Sequence, residues 1–169
     1  MPDTDVLPLR LNSKLKKKLD NLAKATERSR SFLVAEAILE YVALNEWQIE
    51  EIKKGLREAD AGDFATDRKW NKQWPNGSGV RVKWLRAAIA NLQAEADYIA
   101  QASPAAAARL VLKLIQAVER LKNHPALGRP GRVPGTRELV ITGAPYIIPY
   151  RLRGGTLRSF ESSMPLDGG

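Results

Sequence analysis

The sequence predicts an α+β chain built from two modules. Three observations lead there. Short runs at Val6–Leu11 and Val80–Trp84 alternate apolar and polar residues, as half-buried strands do. Several longer stretches repeat apolar residues at helical spacing. Between the two patterned regions lie five consecutive turn-forming residues, Pro75-Asn76-Gly77-Ser78-Gly79.

In the first module, Leu7, Leu9 and Leu11 fall on one face of a short strand. Asn12-Ser13 supplies an N-cap, and Leu15, Leu19 and Leu22 follow at i, i+4, i+7. Lys14, Lys16, Lys17 and Lys18 fall mostly off that stripe. Glu27-Arg28-Ser29 interrupts the pattern, and Ser29 or Ser31 can cap a second helix with Phe32, Ala35, Ile38, Leu39 and Val42 inward. A third helix is expected to carry Trp47, Ile49, Ile52 and Leu56 and to end near Ala61-Gly62. Phe64, Trp70 and Trp74 follow with no clear period.

In the second module, Val80–Trp84 reads as a strand, and Leu85, Ile89, Leu92, Ala96 and Ile99 step along one helix face. Ser103-Pro104 is a cap followed by proline at the first helical position. The next helix places Val111, Leu114, Val118 and Leu121 inward until His124-Pro125 stops it. A loop rich in Gly, Pro and Arg leads to strands at Arg137–Ile141 and Tyr146–Leu152, and Thr156–Glu161 can form a last one. The order is strand, two helices, antiparallel meander.

Composition narrows the chemistry. The chain of 169 residues has no cysteine, which excludes disulfides, thiolate metal sites and cysteine nucleophiles. Its one histidine, His124, reads as structural or solvated at a helix end. No metal site and no cofactor are expected. No run reaches the length of a membrane span, and Met1-Pro2-Asp3 lacks the basic start of a signal peptide, so a cytoplasmic setting without membrane contact is expected. Of the net charge of +8, residues 1–75 carry +1 and residues 76–169 carry +7. A basic second half fits a polyanionic target or an acidic partner.

One strand and two helices over about forty residues bury too little to fold alone; pairing of two strands across a two-fold axis removes the exposed edge. Residues 6–44, with Leu-x-Leu-x-Leu, the Asn-Ser cap, the Leu15/Leu19/Leu22 stripe and Arg28-Ser29-Arg30-Ser31-Phe32-Leu33, resemble the ribbon-helix-helix (CopG/ParD-like) antitoxins. The resemblance implies a homodimer or higher oligomer that binds operator DNA as an autoregulatory repressor. Val6, Pro8 and Arg10 would face the major groove, with Arg10 as the strong hydrogen-bonding reader. Ser29, Arg30 and Ser31 would hold a backbone phosphate at a helix start. Pro8 departs from the pattern, because it cannot donate to the ribbon ladder. Residues 45–74 would be the toxin-binding arm, with Trp47, Ile52, Leu56, Phe64, Trp70 and Trp74 as apolar anchors.

Residues 80–157 resemble the RelE/ParE toxin superfamily. The resemblance rests on Val-Arg-Val-Lys-Trp, Asp97-Tyr98-Ile99 with Ser103-Pro104, His124–Gly131, Gly135–Val140 and Pro145–Arg151 in order. It implies a small sheet with a helical hairpin across one face. Members either cleave messenger RNA on the ribosome or inhibit DNA gyrase, so ribosome-bound mRNA and gyrase are the partners implied for a toxin released from its arm. If active as a nuclease, the module would be a metal-independent endoribonuclease, with Arg132, Arg137, Arg151 and Arg153 as cations for the phosphorane charge. The same arginines could instead receive the arm, from the same chain or from another.

The resemblance fails at the end. Family members close with a last strand and a basic, tryptophan-containing tail, whereas Ser159–Gly169 does not fit that ending. Read one base earlier with suitable codons, the stretch encodes something close to it, which predicts a single-nucleotide frameshift near codons 158–159. Glu161 would then enter a strand that is normally buried. The expected organisation is a ribbon-helix-helix domain at 1–44, an arm at 45–74, a linker at 75–79 and a toxin domain at 80–169 with an atypical C-terminus. The expected function is a type II toxin–antitoxin fusion that neutralises an attached, inactive toxin part.

Overall fold

The computed structural model describes residues 5–65, 80–159 and 164–165. Trp70, Trp74, the break at 75–79 and Glu161 lie outside them. The chain divides into two compact units, Met1–Ala43 and Leu44–Gly169.

In the first unit, residues 5–12 carry no regular secondary structure in the single chain. A two-stranded ribbon needs a second strand to supply its ladder. Helix α1 spans Ser13–Thr26. Its N-cap is Asn12, whose Oδ1 accepts from Leu15 N–H at 2.8 Å. It ends on Glu27, which takes a left-handed φ of 54° while its N–H donates to Ala23 O. Helix α2 spans Arg30–Ala61 and opens on Ser29, whose Oγ accepts from Phe32 N–H at 3.1 Å. No residue of α1 is buried.

Helix α2 runs unbroken for 32 residues, about 48 Å, where the sequence suggested two helices. No Gly or Pro separates Val42 from Trp47, so nothing local stops the first helix. The division between units therefore falls inside α2.

The second unit contains strand β1 (Arg81–Trp84), helices α3 (Arg86–Ala102) and α4 (Pro104–Asn123), and strands β2 (Arg129–Pro130), β3 (Arg137–Val140), β4 (Tyr146–Arg153), β5 (Thr156–Ser159) and β6 (Met164–Pro165). Ser103 caps α4, its Oγ accepting from Ala106 N–H at 3.2 Å, with Pro104 at the first position. The strand order is β1-β5-β4-β3-β2, with β6 beside the start of β4. β2, β3, β4 and β5 pair antiparallel in turn, whereas β1 pairs parallel with β5. The last strand of the meander therefore lies between β1 and β4.

The sheet is covered on both faces. On one, the α3–α4 hairpin contributes Leu85, Ile89, Leu92, Leu114, Val118 and Leu121 to a core shared with Trp84, Leu139, Ile148 and Tyr150. Side chains alternate along β4, so Ile147 points the other way. There it packs with Val133 and Ile52, a residue of the second half of α2.

Candidate functional site

The site is the sheet face beneath the second half of α2. Along that helix Gln48, Ile52, Gly55 and Ala59 are buried. With Asn45 they step 3, 4, 3, 4, one face of a helix. Ile52 is fully buried, and Leu56 packs against both apolar clusters. The small residues at 55 and 59 bring little side-chain bulk to the contact.

Polar contacts sit at both ends of this stripe. At the first, Arg132 Nε donates to Asn45 Oδ1 at 2.9 Å. The same guanidinium reaches Glu138 Oε1 at 2.9 Å, and Arg132 N–H adds a bond to that oxygen at 3.2 Å. Glu138 Oε2 takes Arg129 at 2.9 and 3.1 Å. The Glu138 side chain is only 2% exposed, so these bonds replace the water lost by a buried carboxylate. At the other end, Asp60 Oδ1 accepts from Arg151 at 2.6 Å and from Arg153 at 3.1 Å. Arg151 and Arg153 share the Ile147 face by alternation along β4.

Three of the four expected arginines thus gather under α2, each bonded to it. Arg137 does not join them. Its guanidinium donates to Gly128 O at 2.9 Å and Ala126 O at 2.8 Å, so it pins the loop before β2. Tyr150 fastens the same loop from the core: its hydroxyl donates to Pro125 O at 2.7 Å and accepts from Gly128 N–H at 3.0 Å. A Cβ at position 128 would lie 2.7 Å from the Tyr150 ring, so the close approach needs glycine there.

Beyond α2, Phe64 and Ala65 meet the end of β1. Phe64 bridges Leu85, and Ala65 N–H donates to Trp84 O at 2.9 Å. Phe64 is half-buried against the main core, whereas Trp47, another expected anchor, is exposed. On the hairpin side, Tyr146 donates to Glu95 at 2.5 Å. Burial, then this bond to a carboxylate, push its phenol up to about 12.

In the first unit, Val6, Pro8, Arg10, Ser29, Arg30 and Ser31 are all exposed. Arg30 is paired with Asp20 at 3.1 Å, and the Arg28 guanidinium lies 5.0 Å from the Phe32 ring centre. Among the described residues, no helix is long and apolar enough to cross a membrane, and no group of His, Cys, Asp or Glu is placed to hold a metal ion.

Sequence reading missed Asn45, Gln48, Gly55 and Glu138. The signal for the first three was the 3, 4, 3, 4 spacing around Ile52, hidden because its other members are polar or small. Glu138 alternates with Arg137 and Leu139 in a short strand, and nothing local marks it as buried.

Two family models match the chain. Residues 6–45 match the ribbon-helix-helix proteins of the copG family, and residues 82–158 match the ParE toxin of the type II toxin–antitoxin system parDE. A Sinorhizobium fredii protein named as a toxin, Y4kP, is 47% identical over 75 residues, covering 44% of this chain and 78% of its own length. The protein y4kO from the same organism is 47% identical over 64 residues, covering 38% of this chain and 78% of its own. The toxin RelE2 of Caulobacter vibrioides is 41% identical over 76 residues, covering 45% of this chain and 84% of its own.

The chain belongs to both families. It is a ribbon-helix-helix antitoxin part and a RelE/ParE toxin part in one polypeptide. A solved structure titled as a chromosomal ParDE system from P. aeruginosa is 30% identical, with a TM-score of 0.44, covering 49% of this chain and 92% of that one. The toxin match ends at residue 158. Residues 46–81, which include the second half of α2 after its first two residues, lie between the two matches.

Proposed function

We propose that the chain is a self-neutralised toxin–antitoxin fusion. Its antitoxin part binds operator DNA as a dimer, and its arm covers a toxin part that is itself inactive. The observation that carries the neutralisation is the occupation of Arg132, Arg151 and Arg153 by Asn45 and Asp60 around the buried Ile52. Those arginines are the cations that either RNA cleavage or target binding would use. Engaged by the arm, Arg132 and Arg151 are closed to a phosphate or a protein partner, and the more exposed Arg153 is partly neutralised by Asp60. Inactivity is supported by the stretch Ser159–Gly169, which does not fit the strand end and basic tail that the resemblance implies.

DNA binding is supported by the exposure of Val6, Pro8 and Arg10 and by the start of α2 at Ser29–Ser31. Lys14, Lys16, Lys17 and Lys18 are exposed beside them and suit a phosphate backbone. Gel-shift against the chain's own promoter tests this half. Binding should weaken steeply with salt, and Arg10→Ala should lower affinity roughly 5- to 100-fold through loss of a base contact. Binding that ignores both salt and Arg10 would sink it.

Opening the arm tests the other half. Ile52→Asp in the full chain should uncover the toxin surface without arresting growth. Arrest with cleaved transcripts would identify an active ribosome-dependent endoribonuclease instead, and arrest with DNA damage a gyrase inhibitor.

A further inference from the structure

Given the reading of residues 45–74 as the arm, with residues 45–61 covering the toxin sheet, on which this rests, we infer that the arm is seated on its own chain. Residues 62–65 form a clasp that keeps it from exchanging with other copies.

The clasp begins where α2 ends. Gly62 takes a φ of +79°, its N–H donates to Ala59 O at 3.2 Å, and Asp63 N–H donates to Glu58 O at 2.9 Å. The turned chain then pairs with the end of β1 through Phe64 and Ala65. The Lys83 ammonium lies 5.2 Å from the Phe64 ring centre.

The clasp also completes a toxin helix. Helix α3 has Leu85 at its N-cap, with no side-chain cap bond and no acidic residue in its first turn. Asp63 supplies a backbone acceptor and an acidic group from outside the helix. Its carbonyl accepts from Arg86 N–H at 3.4 Å, and its carboxylate lies 3.0 Å from Arg86 Nε. A first-turn N–H gains an acceptor, and a negative charge stands at the helix start. Residues 62–65 lie between the two family matches.

Connection length makes the own-chain arrangement the favoured one. Ala65 is bonded to Trp84, four residues after Val80, which along a strand is about 13 Å. Residues 66–79 number fourteen, and a chain of that length reaches up to about 46 Å, well beyond that gap. The local concentration of the arm is then on the order of millimolar. An arm from another copy at micromolar concentration competes at a disadvantage of about a thousandfold.

Cross-linking of the full chain tests this, since it has no cysteine of its own. Two pairs at exposed positions serve: Asp60→Cys with Arg153→Cys for the arm, and Asp63→Cys with Arg86→Cys for the clasp. Each pair is made within one chain, or split between two co-expressed chains with tags of different size, and treated with a short bismaleimide. Chains carrying both cysteines should give a linked monomer, with the joined peptides identified by mass spectrometry. Split pairs should give at least tenfold less covalent heterodimer. Heterodimer at yields matching the linked monomer would overturn own-chain seating and leave the arm reading standing. No link in either arrangement, for either pair, would overturn both. Two separate pairs guard against one of them disturbing the fold.

Discussion

Helices α1 and α4 carry the same kind of apolar stripe and meet opposite fates. In α1, Leu15 and Leu22 are 49% and 50% exposed in the single chain. In α4, Leu114 and Leu121 are 1% and 0% exposed. The difference is not in the helices, since both are amphipathic and both have a side-chain N-cap, Asn12 in one and Ser103 in the other. It lies in what the chain itself supplies. The second unit brings a sheet to α4, whereas the described residues of the first leave every residue of α1 unburied. An amphipathic helix thus states that a partner surface is needed, and not whether that surface is in the same chain.

Truncating the stripe sharpens that contrast most. Leu121→Ala should lower the stability of the second unit by about 3 kcal/mol, because a filled core position becomes a cavity. Urea unfolding should give that loss at every protein concentration. Leu22→Ala, the counterpart in α1, should shift the unfolding midpoint by an amount that depends on concentration, as expected when a second copy supplies the contact. A concentration-independent shift for both would break the comparison.

The two faces of the sheet differ as well, since one is sealed by apolar packing and the other is pinned by charge. Glu138→Gln leaves Arg129 and Arg132 without their carboxylate and should cost about 2 kcal/mol, less than for a fully buried pair because Arg129 is half exposed. Thermal unfolding measures it. No loss would mean that the Asn45–Arg132 end of the arm face holds without its buried anion.

On the hairpin face, Tyr146→Phe should cost about 1 kcal/mol through the lost bond to Glu95. The pH response has a definite sign. The phenol ionises near 10 in the unfolded chain and near 12 in the folded one, so its contribution is whole below pH 10 and is lost as pH rises towards 12. The loss of stability across that window should be smaller in Tyr146→Phe than in the parent. Equal slopes would remove Tyr146 as the cause.

The smallest effect is expected at the other end of the arm. Asp60→Asn should cost less than about 1 kcal/mol, because Asp60 and Arg153 are largely exposed, and the difference should fade at high salt. A large, salt-independent loss would mean that the Asp60 end is as structural as the Glu138 end.

Much of this was legible beforehand because it is local. Asn12, Ser103-Pro104 and His124-Pro125 mark helix ends through bonds to neighbours in sequence, and the Leu85–Ile99 stripe follows from helical spacing alone. The arginines were legible as a group but not in their roles. Arg137 turns to two loop carbonyls while Arg132, Arg151 and Arg153 turn to the arm, and only the loop path and the strand register separate them. Residues 45–74 read as an arm on large apolar anchors, and the described part of that stretch turns a partly different set inward. Trp47 drew notice as the largest side chain, yet the face towards the sheet is the one with Gln48, Gly55 and Ala59.

By itself the sequence determined the two modules, their family membership, the helix caps and the need for partner surfaces, all carried by short-range spacing. Tertiary structure decided the rest. It carried α2 unbroken across the division, set β5 between β1 and β4, and buried Glu138 among arginines. It also spent the amphipathic stripe of α4 inside the fold and left that of α1 exposed. The reason is the same in each case: burial and pairing depend on which distant residues arrive opposite, and no local pattern encodes that.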